Sequence, residues 1–191
     1  MGKYMNPFTD EGFKRIFGQD FSKPLLIDFL NNLLEGERVI TDLRFLDKEQ
    51  LPEFKENRGL IYDVYCETET GEHIIVEMQN KPQEYFKDRA LLYLSKAIVS
   101  QSRRGKEGDS YELSAVYGVF FMNFSDRRIG PSFRADVSLA ELHSREPFSD
   151  KLRMIFLQLP LFTKSEAERC SYFERWIYIL KHMEALNRMP W

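Results

Sequence analysis

Four stretches of the chain carry apolar residues at the three- and four-residue spacing that places them on one side of a helix. They predict helices over residues 10–17, 24–34, 84–103 and 165–187. The last stretch opens with Ser165 and Glu168, which have the spacing of a capping box. In the third, the predicted core-facing stripe is Phe86, Ala90, Leu91, Leu94, Ala97, Ile98 and Gln101. Arg89, Tyr93 and Lys96 lie along another face of that helix.

Shorter apolar runs that are rich in branched and aromatic residues predict strands. These runs cover residues 39–46, a two-stranded hairpin at 61–81, and residues 113–124 and 151–161. The run at 113–124 is almost continuously apolar, which is typical of a central strand buried on both faces between helices. Residues 135–142 fit either a short strand or a turn of helix. The alternation of helices and strands indicates an α/β fold.

The hairpin at residues 61–81 has the most informative pattern of polar positions. Residues 69–71, Glu-Thr-Gly, form a three-residue loop with Gly where a left-handed backbone is needed. This loop pairs Asp63 with Glu77, and the alternation of side chains along a strand places both on one face with Gln79. The other face is predicted to be apolar or aromatic, with Tyr62, Val64, Ile74, Val76 and Met78.

Asp63, Glu77 and Gln79 would bring two carboxylates and an amide oxygen together. Oxygen ligands suit Mg²⁺, which takes one or two carboxylates and completes its shell with water and substrate phosphate. The alternative is that these are solvated side chains on the open face of a hairpin, where opposed carboxylates are destabilising. The strands are unusually apolar for an exposed hairpin, so both faces are expected to be partly covered. A covered carboxylate pair needs a cation or a shared proton.

Composition narrows the class of protein. The chain has 191 residues, 43% of them hydrophobic, and no apolar run approaches the length of a membrane span. We therefore expect a soluble globular protein, and the absence of a signal-peptide pattern and of CxxC pairs favours the cytoplasm. The net charge of -3 argues against a dedicated nucleic-acid coat. Basic clusters at 103–106 and 127–128 are interpreted first as solvated loops.

The order Asp63, then Glu77-Met78-Gln79 at the end of the next strand, resembles the PD-(D/E)xK nuclease motif, with Gln79 where a lysine usually stands. This form is similar to the Rpn family of recombination-promoting nucleases, which are related to transposases. The segments that fit the same family are 8–17, 89–93, 116–124 and 155–162. The resemblance implies a restriction-endonuclease-like domain at residues 1–164, with a mixed central β-sheet flanked by helices. It leaves residues 165–191 as a C-terminal helix that packs on the core or on a partner.

The resemblance also implies roles for individual residues. Asp63 and Glu77 would bind Mg²⁺, with Mn²⁺ or Ca²⁺ as alternatives, and the Met78 carbonyl would complete the site. Gln79 can orient the attacking water but brings no positive charge, so Lys81, Arg89 or a second metal would compensate. The remaining implied contacts are Glu11 to the metal and Lys14 and Arg89 to the phosphates of DNA.

Alternatives remain open at this point. Glu11 also fits a partner of the helix dipole, and Arg89 an ordinary exposed arginine. Lys81 would share the face of Gln79 only if the strand continued, and Pro82 interrupts it. The resemblance implies an Mg²⁺-dependent deoxyribonuclease, with a homodimer as an additional expectation. The competing functions are an inactive nuclease-fold module that binds DNA or a protein, and an interaction domain with a chance motif.

Overall fold

A computed structural model gives the fold and describes residues 4–50, 59–101, 112–168, 171–186 and 188. The basic cluster at 103–106 lies outside the described residues. The helices are α1 (Asp10–Phe17), α2 (Lys23–Leu33), α3 (Phe86–Val99) and α4 (Tyr172–His182). The strands are β1 (Leu43–Phe45), β2 (Glu49–Gln50), β3 (Leu60–Ile61), β4 (Val64–Thr68), β5 (His73–Gln79), β6 (Val116–Met122), β7 (Arg134–Ala140) and β8 (Pro147–Gln158). In the described part of the chain, no helix is long and apolar enough to cross a membrane.

Six strands form one sheet in the order β1-β4-β5-β6-β8-β7, and β2 pairs with β3 in a separate ladder. The central strands β5, β6 and β8 run parallel, whereas the outer pairs are antiparallel. Every residue of β6 is buried, because helices cover both faces of the strand. The prediction of an α/β fold with a mixed central sheet is therefore confirmed.

Two apolar clusters cover the two faces of this sheet. One contains side chains of α1, α2 and α4, with Phe121 in ring contact with Phe13, Phe17 and Phe29. The other contains side chains of α3 and the opposite faces of β5, β6 and β8. Gly118 marks a close approach of α3 to the sheet, because a methyl group there would lie 2.6 Å from Leu94 Cδ1.

The first strand is shorter than the predicted range of 39–46. Before Leu43, side chains form the hydrogen bonds that a neighbouring strand would otherwise form. The Asn31 side-chain amide accepts the Ile40 N–H at 2.7 Å and donates to the Ile40 carbonyl at 2.9 Å. The Glu69 carboxylate likewise accepts the backbone N–H groups of Thr41 and Asp42. Strand pairing therefore begins only at Leu43.

The C-terminal helix begins later than the predicted range of 165–187. The Ser165 and Glu168 contact does form, but it closes only a single 3₁₀ turn. The α-helix starts after Ser171, whose hydroxyl accepts the Glu174 N–H at 3.1 Å. The predicted apolar stripe packs on α2, where Phe173 lies 6.2 Å from Phe29 between ring centres. The domain division at residue 164 stays a prediction.

Two further sequence interpretations are decided by packing. Residues 134–140 form strand β7, which resolves the choice between strand and helix. On α3 the buried stripe includes Tyr93 and not Leu91, which is 47% exposed. Tyr93 faces the sheet because it lies three residues after Ala90, four before Ala97 and two helical turns after Phe86, all of which are buried on that side.

Candidate active site

Crossed hydrogen bonds join Asp63 to Glu77 and to Met78. Strand β4 begins at Val64, which pairs with Val76, so the register continues to the predicted pairing of residues 63 and 77. The Asp63 N–H donates to Glu77 Oε1 at 2.9 Å, and the Met78 N–H donates to Asp63 Oδ2 at 2.9 Å. Each carboxylate is therefore held by the backbone of the other strand.

The chain bends at Asp63, and this changes the position of the residue before it. Tyr62 was predicted to share the face of Val64, but it is completely buried in the α3 cluster, next to Tyr65 and Tyr93. Strand alternation is interrupted because Asp63 is in a bend and not in the ladder. The remaining predicted apolar positions, Val64, Ile74, Val76 and Met78, do lie on the other face.

Protein covers Glu77 fully and Asp63 in part. Glu77 is 1% exposed, and burial together with the charge of Asp63 raises the pKa of Glu77 to about 8. Burial also raises the pKa of Asp63, against the opposing effect of the Met78 N–H bond. At neutral pH the pair thus favours holding a proton, because two negative charges are costly in this environment. A bound cation would offset that cost in the same way.

Two cations act on the pair from different helices. Arg89 of α3 places Nη2 3.4 Å from Glu77 Oε2. Lys14 of α1 pairs with Asp10 at 2.7 Å. Its positive charge also opposes the upward shift in the pKa of both Asp63 and Glu77. The structure therefore brings both predicted phosphate-binding residues to the neighbourhood of the carboxylates.

Gln79 ends strand β5 on the same side as Glu77 and is 6% exposed. Its backbone carbonyl accepts the Asn123 N–H at 2.8 Å. Within the described ranges, its side-chain amide has no hydrogen-bond partner. A buried amide without a partner is costly, so this group is available to a water molecule or to a ligand.

The other predicted site residues are less closely placed. Glu11 is exposed in the first turn of α1, and it is the neighbouring Asp10 whose charge acts on Asp63. Lys81 is exposed in the bend after β5. The Met78 backbone does lie beside Asp63, through its N–H group. The roles of Glu11, Lys81 and the Met78 carbonyl stay predictions.

Sequence reasoning missed three neighbours of the pair. No role in the site is predicted for Asp10 from the sequence, although it directly precedes Glu11. The Asn80 amide ties the end of β5 to the Phe8 carbonyl at 2.6 Å and so fixes α1 beside the hairpin. Tyr93 is predicted with Arg89 and Lys96 on a face outside the core-facing stripe, whereas it is 6% exposed and contacts Arg89 four residues earlier. Its hydroxyl accepts the Arg89 Nε–H at 3.0 Å.

The donor set suits a hard divalent cation. Asp63 and Glu77 supply carboxylate oxygens, and Mg²⁺ needs only one or two of them because water and phosphate complete its shell. Among the residues that the structure describes, there is no group of three or more His, Cys, Asp or Glu side chains suited to a metal ion. The oxygen donors of a carboxylate pair fit Mg²⁺ better than Zn²⁺, whose closed sites use mainly nitrogen and sulfur ligands.

Comparison with known proteins agrees with this geometry. A family model described as PD-(D/E)XK nuclease family transposase matches residues 7–191 of the chain. No curated protein and no solved structure matches it. The match extends over the hairpin, the sheet and all four helices, so it concerns the fold as a whole and not the short motif alone.

Proposed function

The chain belongs to the PD-(D/E)XK nuclease family transposases, and from this premise we propose that it is a metal-dependent DNA endonuclease. The proposed reaction is hydrolysis of a phosphodiester bond at Asp63 and Glu77. The observation that carries the proposal is the pair of crossed backbone hydrogen bonds, from the Asp63 N–H to Glu77 and from the Met78 N–H to Asp63, which sets the two carboxylates side by side. A buried Glu77 beside a partly buried Asp63 serves no evident structural purpose, since burial disfavours the charge of both.

In this proposal Asp63 and Glu77 hold Mg²⁺, with Mn²⁺ or Ca²⁺ as alternatives. The ion, when bound, supplies Lewis-acid activation of water and of a phosphate oxygen. Glu11 and the Met78 carbonyl are candidates to complete the ligand set. The buried amide of Gln79 orients the attacking water by a hydrogen bond.

Positive charge for the phosphate comes from the chain itself. Arg89 and Lys14 both act on the carboxylate pair, and guanidinium groups bind phosphate oxygens in a bidentate manner. Lys81, which follows the motif strand, is a third candidate. These residues stabilise the negative charge that develops as water attacks the phosphorus. We include a homodimer in the proposal, because cutting both strands of a duplex is served by two sites.

Cleavage of a supercoiled plasmid tests the proposal directly. Wild-type protein, Asp63→Ala and Glu77→Ala are compared with Mg²⁺, Mn²⁺, Ca²⁺ and EDTA. We expect metal-dependent nicking that falls at least about 100-fold in both variants. The matched control is Glu67→Ala, because Glu67 lies near the turn of the same hairpin, opposite His73 and away from the pair. Equal cleavage by folded Asp63→Ala would refute the assignment.

An inactive nuclease-fold module that binds DNA or a protein is the second candidate. The observation that favours it is Gln79, which brings no charge to the position where the motif has lysine. Gln79→Lys separates the two functions. If wild-type protein binds duplex DNA without cutting it, and Gln79→Lys cuts it, the second candidate is correct. If wild-type protein cuts DNA, the endonuclease proposal stands.

A further inference from the structure

The guanidinium of Arg89 is held by three side chains at once. Its Nη2 lies 3.4 Å from Glu77 Oε2, its Nε donates to the Tyr93 hydroxyl at 3.0 Å, and its Nη1 donates to Gln83 Oε1 at 3.2 Å. The guanidinium carbon also lies 4.9 Å from the centre of the Tyr93 ring. An arginine on a surface helix normally samples many rotamers, so three directional contacts define its position.

Tyr93 is in turn fixed by its surroundings. It is 6% exposed, and its ring meets Tyr62 edge to face with ring centres 5.2 Å apart. Its hydroxyl donates to the Ile61 carbonyl at 3.3 Å, two residues before Asp63. The hydroxyl therefore connects α3, through one oxygen atom, to the segment that leads into the carboxylate pair.

We propose that Tyr93 is a positioning residue of the nuclease centre, whose hydroxyl holds the Arg89 guanidinium beside Glu77 so that Arg89 supplies the fixed positive charge that Gln79 lacks. The inference rests on the proposed endonuclease function and names a residue that acts through Arg89. Lys14 is less suited to this task because its ammonium group is already engaged in a close ion pair with Asp10, at 2.7 Å. The contact of Arg89 with Glu77 is longer, at 3.4 Å. A positive charge that is already in place lowers the barrier without reorganisation during the reaction.

The competing explanation is that Tyr93 only fills the core beneath α3. Tyr93→Phe distinguishes the two, since it keeps the ring, its contact with Tyr62 and its stacking under Arg89. It removes only the hydroxyl. Tyr62→Phe is the matched control, because Tyr62 is also buried and donates to a backbone atom of α3, the Tyr93 carbonyl at 3.0 Å. Arg89 forms no hydrogen bond with the Tyr62 hydroxyl in the described structure.

A double-mutant cycle provides the measurement. Single-turnover cleavage of a DNA duplex at saturating Mg²⁺ is compared for wild type, Tyr93→Phe, Arg89→Ala, the double variant and Tyr62→Phe. We expect Tyr93→Phe to slow cleavage about tenfold, which is the size of one hydrogen bond to a charged group. Tyr62→Phe is expected to stay within about twofold of wild type. In the Arg89→Ala background, removing the Tyr93 hydroxyl is expected to have no further effect.

Each other result overturns the inference. Equal slowing by Tyr62→Phe, or an undiminished effect of Tyr93→Phe in the Arg89→Ala background, would show that the Tyr93 hydroxyl does not act through Arg89. The side-chain Nε–H NMR signal of Arg89 gives an independent readout, because its exchange with water should accelerate in Tyr93→Phe and not in Tyr62→Phe. Slowed cleavage with unchanged exchange would also overturn the role. Failure of the proposed function looks different, since wild-type protein would then cleave no DNA under any metal.

Discussion

Replacing Glu77 by glutamine is expected to change how the stability of the protein depends on pH. The folded protein holds the Glu77 proton up to a pKa of about 8, whereas an unfolded chain releases it near the ordinary value of 4.5. Between these pH values the folded state binds more protons than the unfolded state. The contribution of Glu77 to the free energy of unfolding is therefore fully present below pH 4.5 and is lost as the pH rises through 8. At about 1.4 kcal/mol per pH unit, the loss amounts to about 5 kcal/mol at most.

The amide introduced by Glu77→Gln would resemble the protonated acid in shape and would still accept the Asp63 N–H, so the variant should lose most of this dependence. Other groups that face Glu77 are Asp63 on the hairpin, Lys14 on α1, and Arg89 and Tyr93 on α3. Burial raises the pKa of Asp63 as well, so a smaller slope of the same sign should remain.

Urea unfolding followed by circular dichroism at intervals from about pH 5 to about pH 9 is the measurement, because this range brackets the titration of Glu77. We expect the free energy of unfolding of the wild type to fall by several kcal/mol over this range, and that of Glu77→Gln to fall much less, by the residual contribution of Asp63. Glu146→Gln, at an exposed position just before β8, should keep the wild-type slope. A slope that is the same in Glu77→Gln and wild type would show that the Glu77 carboxyl is ionised in the folded protein, and it would refute the interpretation.

Two further predictions concern the scaffold that holds the site. Gly118→Ala places a methyl group 2.6 Å from Leu94 and 2.7 Å from the Phe120 ring, so it should cost about 1–3 kcal/mol of stability, measured by urea unfolding. A loss below about 0.5 kcal/mol would show that α3 can move away. Ser171→Ala should cost about 1 kcal/mol by removing the cap of α4, and Ser165→Ala should cost less because Ser165 caps only one turn. The reverse order would mean that the earlier capping box carries the helix.

The central strands and the hairpin were predictable because a continuous apolar run and a short turn sequence are both visible in neighbouring residues. The run of apolar residues through β6 leaves no polar face, so it could only be a strand covered on both sides. The Glu-Thr-Gly loop has Gly71 at a φ of 90°, which few other residues adopt readily, and so it sets the hairpin register. That register pairs positions 63 and 77 through the period of two along a strand.

Element ends were less predictable, because side chains distant in sequence compete with the ladder or cap the helix. Asn31 and Glu69 bind the backbone before β1, so the strand is shorter than its apolar run. At the C-terminus, Ser165 and Ser171 both offer a cap, and only the packing of α4 on α2 decides between them.

Local sequence is enough to predict which residues meet on the hairpin, since a short loop of known geometry joins the strands that carry Asp63 and Glu77. The surroundings of these two residues depend instead on how distant elements pack. The bend at Asp63 moves Tyr62 to the α3 side, α3 brings Arg89 to Glu77, and α1 brings Lys14. These approaches depend on how helices pack across two faces of a sheet. Burial, and with it the raised pKa of Glu77, arises from that packing and leaves no signal in local sequence spacing.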